Sequence, residues 1–226
     1  MNCFISGVAR AITETFSLPE PILEIGSYQV PEQPGQNELI NLRPLFEGKE
    51  YTGVDIRPGP GVDVVASVES LPQADESVGT VIALNTFEHV THFWRGFEEI
   101  HRVLRPDGAL VISVPFYFHI HNHPNDYWRF TPDAVKVLLE PYSAKILGYH
   151  GPRKKPLNIW ALAFKGDAHP LNPDTFAKYE NLVRSYAREP LPAGKKFKYL
   201  LGRVLCGSRP FLPYLQRDAW ETECLA

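Results

Sequence analysis

Residues 77–115 read SVGTVIALNTFEHVTHFWRGFEEIHRVLRPDGALVISVP, and this stretch decides the predicted fold. The apolar run at 78–84 is typical of a buried central strand. Apolar side chains then recur at helical spacing between 93 and 104, and the turn-forming sequence at 105–108 ends that helix. A second apolar run follows at 109–114. A strand, a helix and a strand in this order predict a parallel βαβ unit.

The flanking sequence continues the alternation of apolar runs and helical patterns. A weaker helical pattern covers 37–46, and Thr131 suits the N-cap of a helix whose first residue is Pro132. Further strands are predicted at 22–26, 51–56, 62–68, 144–149 and 159–164. The fold class is therefore α/β, with a Rossmann-like, doubly wound sheet of seven strands.

The predicted sheet ends near residue 166. From 167 onward the pattern is helical and interrupted by prolines, without strand alternation. We therefore divide the chain into a ligand-binding domain at 1–166 and a C-terminal helical extension at 167–226.

Composition excludes several classes of function. The 226 residues carry a formal net charge of −3, so no nucleic-acid partner is expected. Cys3, Cys206 and Cys224 lie far apart, without metal-ligand or redox spacing, which favours a reducing compartment. No apolar run reaches the length of about 18 residues that predicts a membrane span, and the first residues do not resemble a signal peptide. A cytoplasmic location is expected.

Residues at the carboxyl ends of the predicted strands are the ligand candidates, because open parallel sheets bind ligands at that edge. Gly26 ends the first strand and lets a ligand approach the backbone closely. Glu24 lies beside it and can accept from a cationic ligand. Asp55 ends the second strand, where a carboxylate can accept from both hydroxyls of a ribose. A glycine followed by an acid is common in α/β proteins, so this pair alone has low specificity.

The ordered set of motifs is more specific. Residues 65–72 (VASVESLP), 77–90, 97–108 and 109–115 resemble, in order and spacing, the class I S-adenosylmethionine-dependent methyltransferases, and in particular the methyltransferase type 11 group. The resemblance covers about residues 20–165. It implies the class I methyltransferase fold, S-adenosylmethionine as cofactor and S-adenosylhomocysteine as product.

The resemblance also implies cofactor contacts, residue by residue. Asp55 would hold the ribose hydroxyls. The remaining implied contacts are Glu24, Gly26, Asn85 and Thr86 near the methionine moiety, and Ile56, Ser67 and Val68 near the adenine.

Two features depart from the family pattern. The first loop continues as Ser27 and Tyr28 and reaches another glycine only at Gly35, so we expect a different loop path, with Tyr28 covering the cofactor. Ser67 stands where the family usually has aspartate, and it offers one hydrogen bond without charge. A dinucleotide is disfavoured, because no G-x-G-x-x-G follows the first strand.

Histidines supply the candidates for handling a methyl acceptor, since imidazole is a suitable base near neutral pH. Glu88 and His89 resemble the end of the E-x-x-E-H motif with which ubiquinone-pathway O-methyltransferases help to hold a divalent metal. Asn85 replaces the first glutamate, which weakens a metal interpretation; the pair alternatively just begins a loop. His119, His121 and His123 alternate, so that an extended segment would point them to one side.

The loop at 116–130 (FYFHIHNHPNDYWRF) is unusually rich in histidine and aromatic residues. It is interpreted as lining for a substrate pocket, as a metal site or as structural packing. The candidate bases are His89, His119, His121 and His123, and no metal ligand is assigned. The candidate substrate contacts are Tyr117, Asp126, Tyr127, Trp128 and Arg129, with Asp126 and Arg129 expected to pair and fix the loop.

Residues 194–207 predict an amphipathic helix whose apolar stripe is flanked by Lys195, Lys196, Lys198 and Arg203. Such a helix docks on its own domain or on a second subunit, or it touches an anionic membrane surface. The predicted function is O- or N-methylation of a small molecule: a sugar, a glycan precursor or a specialised metabolite. The alternative is a non-catalytic binding or partner subunit that keeps the fold.

Overall fold

The structure is a computed structural model that describes residues 3–29, 41–121, 124–188, 193–207, 215–216 and 219–225. Within these ranges the helices are α1 (Cys3–Thr15), α2 (Phe93–Val103), α3 (Pro132–Leu138), α4 (Pro173–Tyr186) and α5 (Ala193–Cys206), with short 3-10 turns at Arg43–Phe46 and Phe87–His89. The strands are β1 (Ile22–Ile25), β2 (Tyr51–Asp55), β3 (Val64–Val65), β4 (Val78–Leu84), β5 (Leu104–Pro115), β6 (Ala144–His150), β7 (Asn158–Phe164) and β8 (Trp220–Leu225).

The strands described form one sheet in the order β3-β2-β1-β4-β5-β7-β6-β8. Neighbouring strands from β3 to β5 run parallel, whereas β7 is antiparallel to both β5 and β6. The strand order changes direction between β1 and β4, and this is the switch point at which doubly wound sheets bind ligands. The predicted α/β fold class is confirmed.

Both faces of the sheet are covered, which explains why its central strands are apolar throughout. On β4 the side chain of Val81 enters one core cluster, with Phe97 and Ile100 of α2. The next residue, Ile82, enters the other cluster, together with Phe4 and Ile12 of α1. Successive side chains of a strand point to opposite faces, so β4 is held from both sides and presents only its carboxyl end to a ligand.

The predicted extension at 167–226 contains helices, but the absence of a strand there was wrongly predicted. β8 pairs antiparallel with β6 and closes that edge of the sheet. The Glu223 carboxylate accepts from the Tyr149 hydroxyl and pairs with Lys136 at 2.7 Å and Arg153 at 2.8 Å. The six residues of β8 have only a weakly alternating pattern, and they form a strand because the edge strand β6 and the cations of Lys136 and Arg153 stabilise them. The domain division at 166 stays a prediction.

Three local predictions differ from the structure. The turn predicted at 105–108 is an irregularity within β5, between the pairs Val78↔Leu104 and Thr80↔Ala109. The third strand, predicted at 62–68, is only Val64–Val65. The helical pattern at 37–46 lies partly outside the described residues, and its described part forms the 3-10 turn Arg43–Phe46.

The apolar stripe of α5 does not pack on the sheet domain as the structure describes it. Phe197, Val204 and Leu205 are 70%, 81% and 73% exposed. That this helix binds a second copy of the chain or an anionic membrane surface therefore stays a prediction. Among the residues described, no helix combines the length and the apolar character needed to cross a membrane.

Close packing between β6 and β7 gives a stability test with a matched control. A Cβ added at buried Gly148 would lie 2.0 Å from Cε2 of Trp160. We expect Gly148→Ala to lower the free energy of unfolding by about 1–3 kcal/mol, because overpacked cores cost that much. Gly194→Ala, with no atom within 4 Å of the added Cβ, should change it by less than about 1 kcal/mol. Urea denaturation measures both, and equal losses would contradict the packing.

Candidate active site

The loops after β1 and β4 meet at the switch point. Gly26 has a φ of +79° and donates its N–H to the Val54 carbonyl at 2.8 Å. A Cβ at this position would lie 2.5 Å from Oγ1 of Thr86. That Oγ1 donates to the Ile25 carbonyl at 3.1 Å. Glycine is thus required at position 26 by both its φ and the approach of Thr86, and two predicted site residues are in contact.

Ser27 follows in the same loop and is buried. Its Oγ finds no hydrogen-bond partner among the described residues. A buried hydroxyl left unpaired costs about 1–3 kcal/mol, which a ligand group that bonds to it would recover. Ser27 Oγ lies against Gly53 of β2, where an added Cβ would approach it to 2.7 Å, so the serine adds a buried polar atom to the loop after β1.

Asp55 is buried at the end of β2 and is held by backbone donors. Its Oδ1 accepts from Arg57 N at 2.9 Å and its Oδ2 from Tyr28 N at 3.3 Å. Oδ1 also accepts from Arg57 Nε at 3.4 Å, so three of the carboxylate's about four acceptor positions are used and one, on Oδ2, remains. The Arg57 guanidinium lies 4.4 Å from the centre of the Tyr28 ring, which also contacts Gly59. Tyr28 thus packs on the following turn, and Ile56 is exposed.

Glu24 is buried in β1 and accepts from the Tyr51 hydroxyl at 2.6 Å. Burial raises the pKa of this carboxyl to about 7, against the opposing effects of the Tyr51 hydrogen bond and the Arg43 charge. A carboxyl in this state is partly protonated at neutral pH, and a cationic ligand would favour its charged form.

Ser67 and Val68 occupy the turn after β3. Ser67 Oγ accepts from Glu69 N at 3.1 Å, so the side chain caps its own turn. Val68 is buried in the core, against Gly96 and Phe87. Any contact between Val68 and a ligand would have to use its backbone.

Asn85 has a positive φ of 53° and is held by two neighbouring strands. Its Oδ1 accepts from Ser113 Oγ at 2.8 Å and from Asn158 Nδ2 at 2.8 Å. Sequence reasoning missed both partners. Their signal was a buried polar residue in each of two apolar strands, β5 and β7. Asn158 Oδ1 has no partner among the described residues and is a further candidate contact.

A second cluster of polar side chains begins at Glu88, three residues after Asn85, and includes His89 and His121. Glu88 is 1% exposed, and burial raises the pKa of its carboxyl to about 8. His89 Nε2 lies 3.8 Å from Glu88 Oε1, and His89 Nδ1 lies 2.5 Å from the Asn125 carbonyl oxygen. The Nδ1–H therefore donates to that carbonyl, which orients the ring toward Glu88.

His121 joins this cluster from the loop after β5. Its ring centre lies 4.9 Å from that of His89, and its Nδ1 lies 3.0 Å from Asp126 Oδ2. Two guanidinium nitrogens of Arg129 donate to the Asp126 carboxylate, one of them at 2.6 Å. These bonds hold the pKa of the Asp126 carboxyl far below its usual range. The predicted pairing of Asp126 and Arg129 is present. Asp126 also accepts from the His121 backbone N–H at 3.0 Å, so the pair positions His121.

The remaining predicted residues of the loop are spread over its surface. His119 is exposed, and its carbonyl accepts from Arg129 at 3.1 Å. Tyr127 and Trp128 are 46% and 36% exposed. The Trp128 indole donates to the Val90 carbonyl at 2.9 Å. The Lys155 ammonium lies 3.8 Å from the centre of the Tyr117 ring. His123 lies outside the described residues.

Backbone bonds join the loops after β4 and β5. The Glu88 carbonyl accepts from Tyr127 N at 2.8 Å and from Trp128 N at 3.3 Å. His89 and His121 are 32 positions apart, and these bonds fix the distance between them. The His89 N–H also donates to the Thr86 carbonyl at 3.0 Å, so the group of two imidazoles and a buried carboxyl follows the Gly26–Thr86 contact directly along the chain.

Parts of this chain match known methyltransferases in sequence. Residues 39–112 match the family model described as "Methyltransferase domain". An uncharacterized methyltransferase of Mycolicibacterium gilvum (strain PYR-GCK) is 40% identical over 155 residues, covering 51% of this chain and 61% of that protein. One of Mycobacterium sp. (strain KMS) is 34% identical over 119 residues, covering 48% of this chain and 44% of that protein. The chain thus spans about half the length of these curated relatives.

Solved structures show the same fold. The 1,6-didemethyltoxoflavin-N1-methyltransferase of Burkholderia thailandensis, solved with 1,6-didemethyltoxoflavin and S-adenosylhomocysteine bound, is similar with a TM-score of 0.52 and 22% identity. The alignment covers 73% of this chain and 79% of that one. Strand order, switch point and family match agree with the resemblance to the type 11 group. The described residues have the fold of the class I S-adenosylmethionine-dependent methyltransferases, and residues 39–112 match a methyltransferase domain.

Proposed function

We propose that this protein transfers a methyl group from S-adenosylmethionine to an oxygen or nitrogen of a small molecule. The observation that carries the proposal is the juxtaposition of two features at one sheet edge. Gly26 and Thr86 are in contact at the switch point, where this fold binds ligands. The His89 N–H donates to the Thr86 carbonyl at 3.0 Å, and the His121 ring lies beside the His89 ring.

Polar groups at the strand ends fit the cofactor. Asp55 is buried and fixed by two backbone donors. Its Oδ2 can accept from one ribose hydroxyl, and a second hydroxyl would replace the 3.4 Å contact of Arg57 Nε with Oδ1. The methionine end would lie along Glu24, Gly26, Asn85 and Thr86, where the unpaired Ser27 Oγ is a further bonding group. Ile56, Ser67 and Val68 would border the adenine, with Val68 contributing only its backbone.

Methyl transfer needs alignment more than acid catalysis. The acceptor's lone pair forms the new bond to the methyl carbon, the sulfur–carbon bond breaks, and its electron pair stays on sulfur as neutral S-adenosylhomocysteine. An acceptor O–H or N–H must then lose its proton. The protein's part is to hold the acceptor in line with the methyl group and to help that proton leave.

Among the four predicted bases, the geometry favours His89 and His121. Their rings are oriented by the Asn125 carbonyl and by Asp126, whereas His119 is exposed. Half-exposed Tyr127 and Trp128, whose N–H groups donate to the Glu88 carbonyl, offer flat apolar surface to a sugar or heteroaromatic acceptor. The similar fold of a methyltransferase solved with the small molecule 1,6-didemethyltoxoflavin supports an acceptor of that size.

Cofactor binding is the first test, by calorimetric titration with S-adenosylmethionine and S-adenosylhomocysteine. We expect micromolar affinity, about −8 kcal/mol, and at least a tenfold loss in Asp55→Ala. Asp107→Ala, which removes an exposed carboxylate paired with Arg105, should bind like the unmodified protein. If the unmodified protein binds neither ligand, the proposal fails and the non-catalytic partner subunit is favoured.

Glu24 predicts a pH dependence of cofactor affinity. Its carboxyl is charged above a pKa of about 7 and neutral below it. The ammonium and sulfonium of S-adenosylmethionine favour the charged form, so affinity should rise between pH 6 and pH 8, by up to about tenfold per pH unit below the pKa. Glu24→Gln should show a flatter profile at the same concentrations. Identical profiles would mean that Glu24 does not face the cofactor's charge.

Alanine substitutions test the imidazole pair once a screen for S-adenosylhomocysteine release has identified an acceptor. His89→Ala and His121→Ala should each lower kcat by about tenfold or more, the usual range for a group that assists proton transfer. His92→Ala is the matched control, since His92 also pairs with a carboxylate, Glu69, at 2.8 Å but lies on another turn. Equal activity of all three variants would favour catalysis by positioning alone.

A further inference from the structure

We propose that Glu88, His89 and His121 bind a divalent transition-metal ion of the zinc type beside the methyl acceptor. The inference rests on the proposed function, because it uses the same pocket. One ligand atom from each of the three residues lies within 4.8 Å of the others. Two imidazoles and one carboxylate form a known catalytic zinc set, which leaves a further position for water or substrate.

The distances are close to what an ion requires. Ligand atoms at about 2.1 Å from a tetrahedral ion are separated by about 3.4 Å. His89 Nε2 and Glu88 Oε1 are already 3.8 Å apart. No separation exceeds 4.8 Å, so none has to shrink by more than about 1.4 Å. His121 is on an irregular loop, so a small movement of this ring can close the set.

Hydrogen bonds orient both imidazoles as metal-binding histidines are oriented. Histidine ligands commonly donate their other ring N–H to a backbone carbonyl or a carboxylate. Here Nδ1 of His89 meets the Asn125 carbonyl at 2.5 Å, and Nδ1 of His121 meets the His119 carbonyl at 3.4 Å, with the Asp126 carboxylate 3.0 Å away. The neutral tautomer that donates from Nδ1 keeps its lone pair on Nε2. One cluster thus contains both usual kinds of outer partner.

Glu88 supplies the independent observation. Only 1% of this residue is exposed to solvent, yet its Oε2 has no hydrogen-bond partner among the described residues. A buried carboxyl oxygen without a partner is costly, and burial of such a group is normally compensated by a charge or a metal. Arg129 is the nearby cation, but its guanidinium is taken up by Asp126. The pocket therefore offers one uncompensated negative charge for a cation when Glu88 is ionised.

The site differs from the E-x-x-E-H arrangement that its sequence resembles. Asn85 stands at the position of the first glutamate, and its Oδ1 already accepts from Ser113 and Asn158. This side chain is committed to joining β4, β5 and β7. The third ligand instead comes from another loop, as His121.

A bound ion would change how the acceptor loses its proton. A hydroxyl coordinated to such an ion has a lowered pKa and releases its proton to water near neutral pH. Its oxygen then carries the lone pair that attacks the methyl carbon, and no imidazole has to take up the proton. The ion would also fix the acceptor oxygen relative to the cofactor crevice.

Metal binding can be measured without cofactor or acceptor. Chelator-treated protein is titrated with Zn²⁺ by calorimetry, and with Co²⁺ by visible absorption, which reports the coordination geometry. We expect one ion per chain, and affinity lowered at least about tenfold in His121→Ala and in Glu88→Gln. His92→Ala, which disrupts the similar His92–Glu69 pair, should leave binding unchanged. Circular dichroism of each variant checks that the fold is kept.

Stoichiometric binding that is lost in His121→Ala and kept in His92→Ala supports the site. Binding that is absent at 1:1 stoichiometry, or equal in all variants, overturns it. Titration of the metal-free protein with S-adenosylhomocysteine separates this result from the proposed function. Cofactor binding without metal binding removes only the metal site, whereas metal binding without cofactor binding removes the methyltransferase proposal.

Discussion

The close approach of the loops after β1 and β4 is the constraint on which the site depends. Gly26 has no side chain to keep Thr86 away, and the Thr86 hydroxyl bonds to the Ile25 carbonyl at 3.1 Å. This contact fixes the crevice at the switch point, where both strands end. Because β4 is packed from both faces, the residues that follow it, including His89, have little freedom to move away.

A second layer of polar contacts gives the candidate site its shape. Ser113 and Asn158 hold Asn85, while Arg129 and Asp126 hold His121. These partners come from β5, β7 and the loop after β5. The antiparallel strand β7 therefore does more than extend the sheet, because Asn158 ties it to the end of β4. Buried networks of this kind rigidify a site when every member is paired, and the unpaired oxygens of Glu88 and Asn158 mark where a ligand would complete them.

Much of the fold was predictable from local pattern. Apolar runs located seven strands, and the order of motifs gave the fold class, since both depend on residues close together in the chain. β8 was missed because its stability comes from β6 and from the cations of Lys136 and Arg153. For the site, the spacing of strands placed His89 and the loop at 116–130 at one edge. His121 lies beside His89 because the Asp126–Arg129 pair and the backbone bonds to the Glu88 carbonyl hold the loop there. These contacts join residues far apart in the chain, so a periodic sequence pattern does not predict them.

We propose that the carboxyl ends of β1, β2 and β4 together form the cofactor site on which every other role depends. A crystal structure of the protein with S-adenosylhomocysteine tests it most directly. We expect ribose hydroxyls within hydrogen-bond distance of Asp55, and the cofactor's sulfur on the side of Thr86 that faces His89. A ligand bound elsewhere, or an Asp55 carboxylate that makes no contact with the ribose, would contradict it.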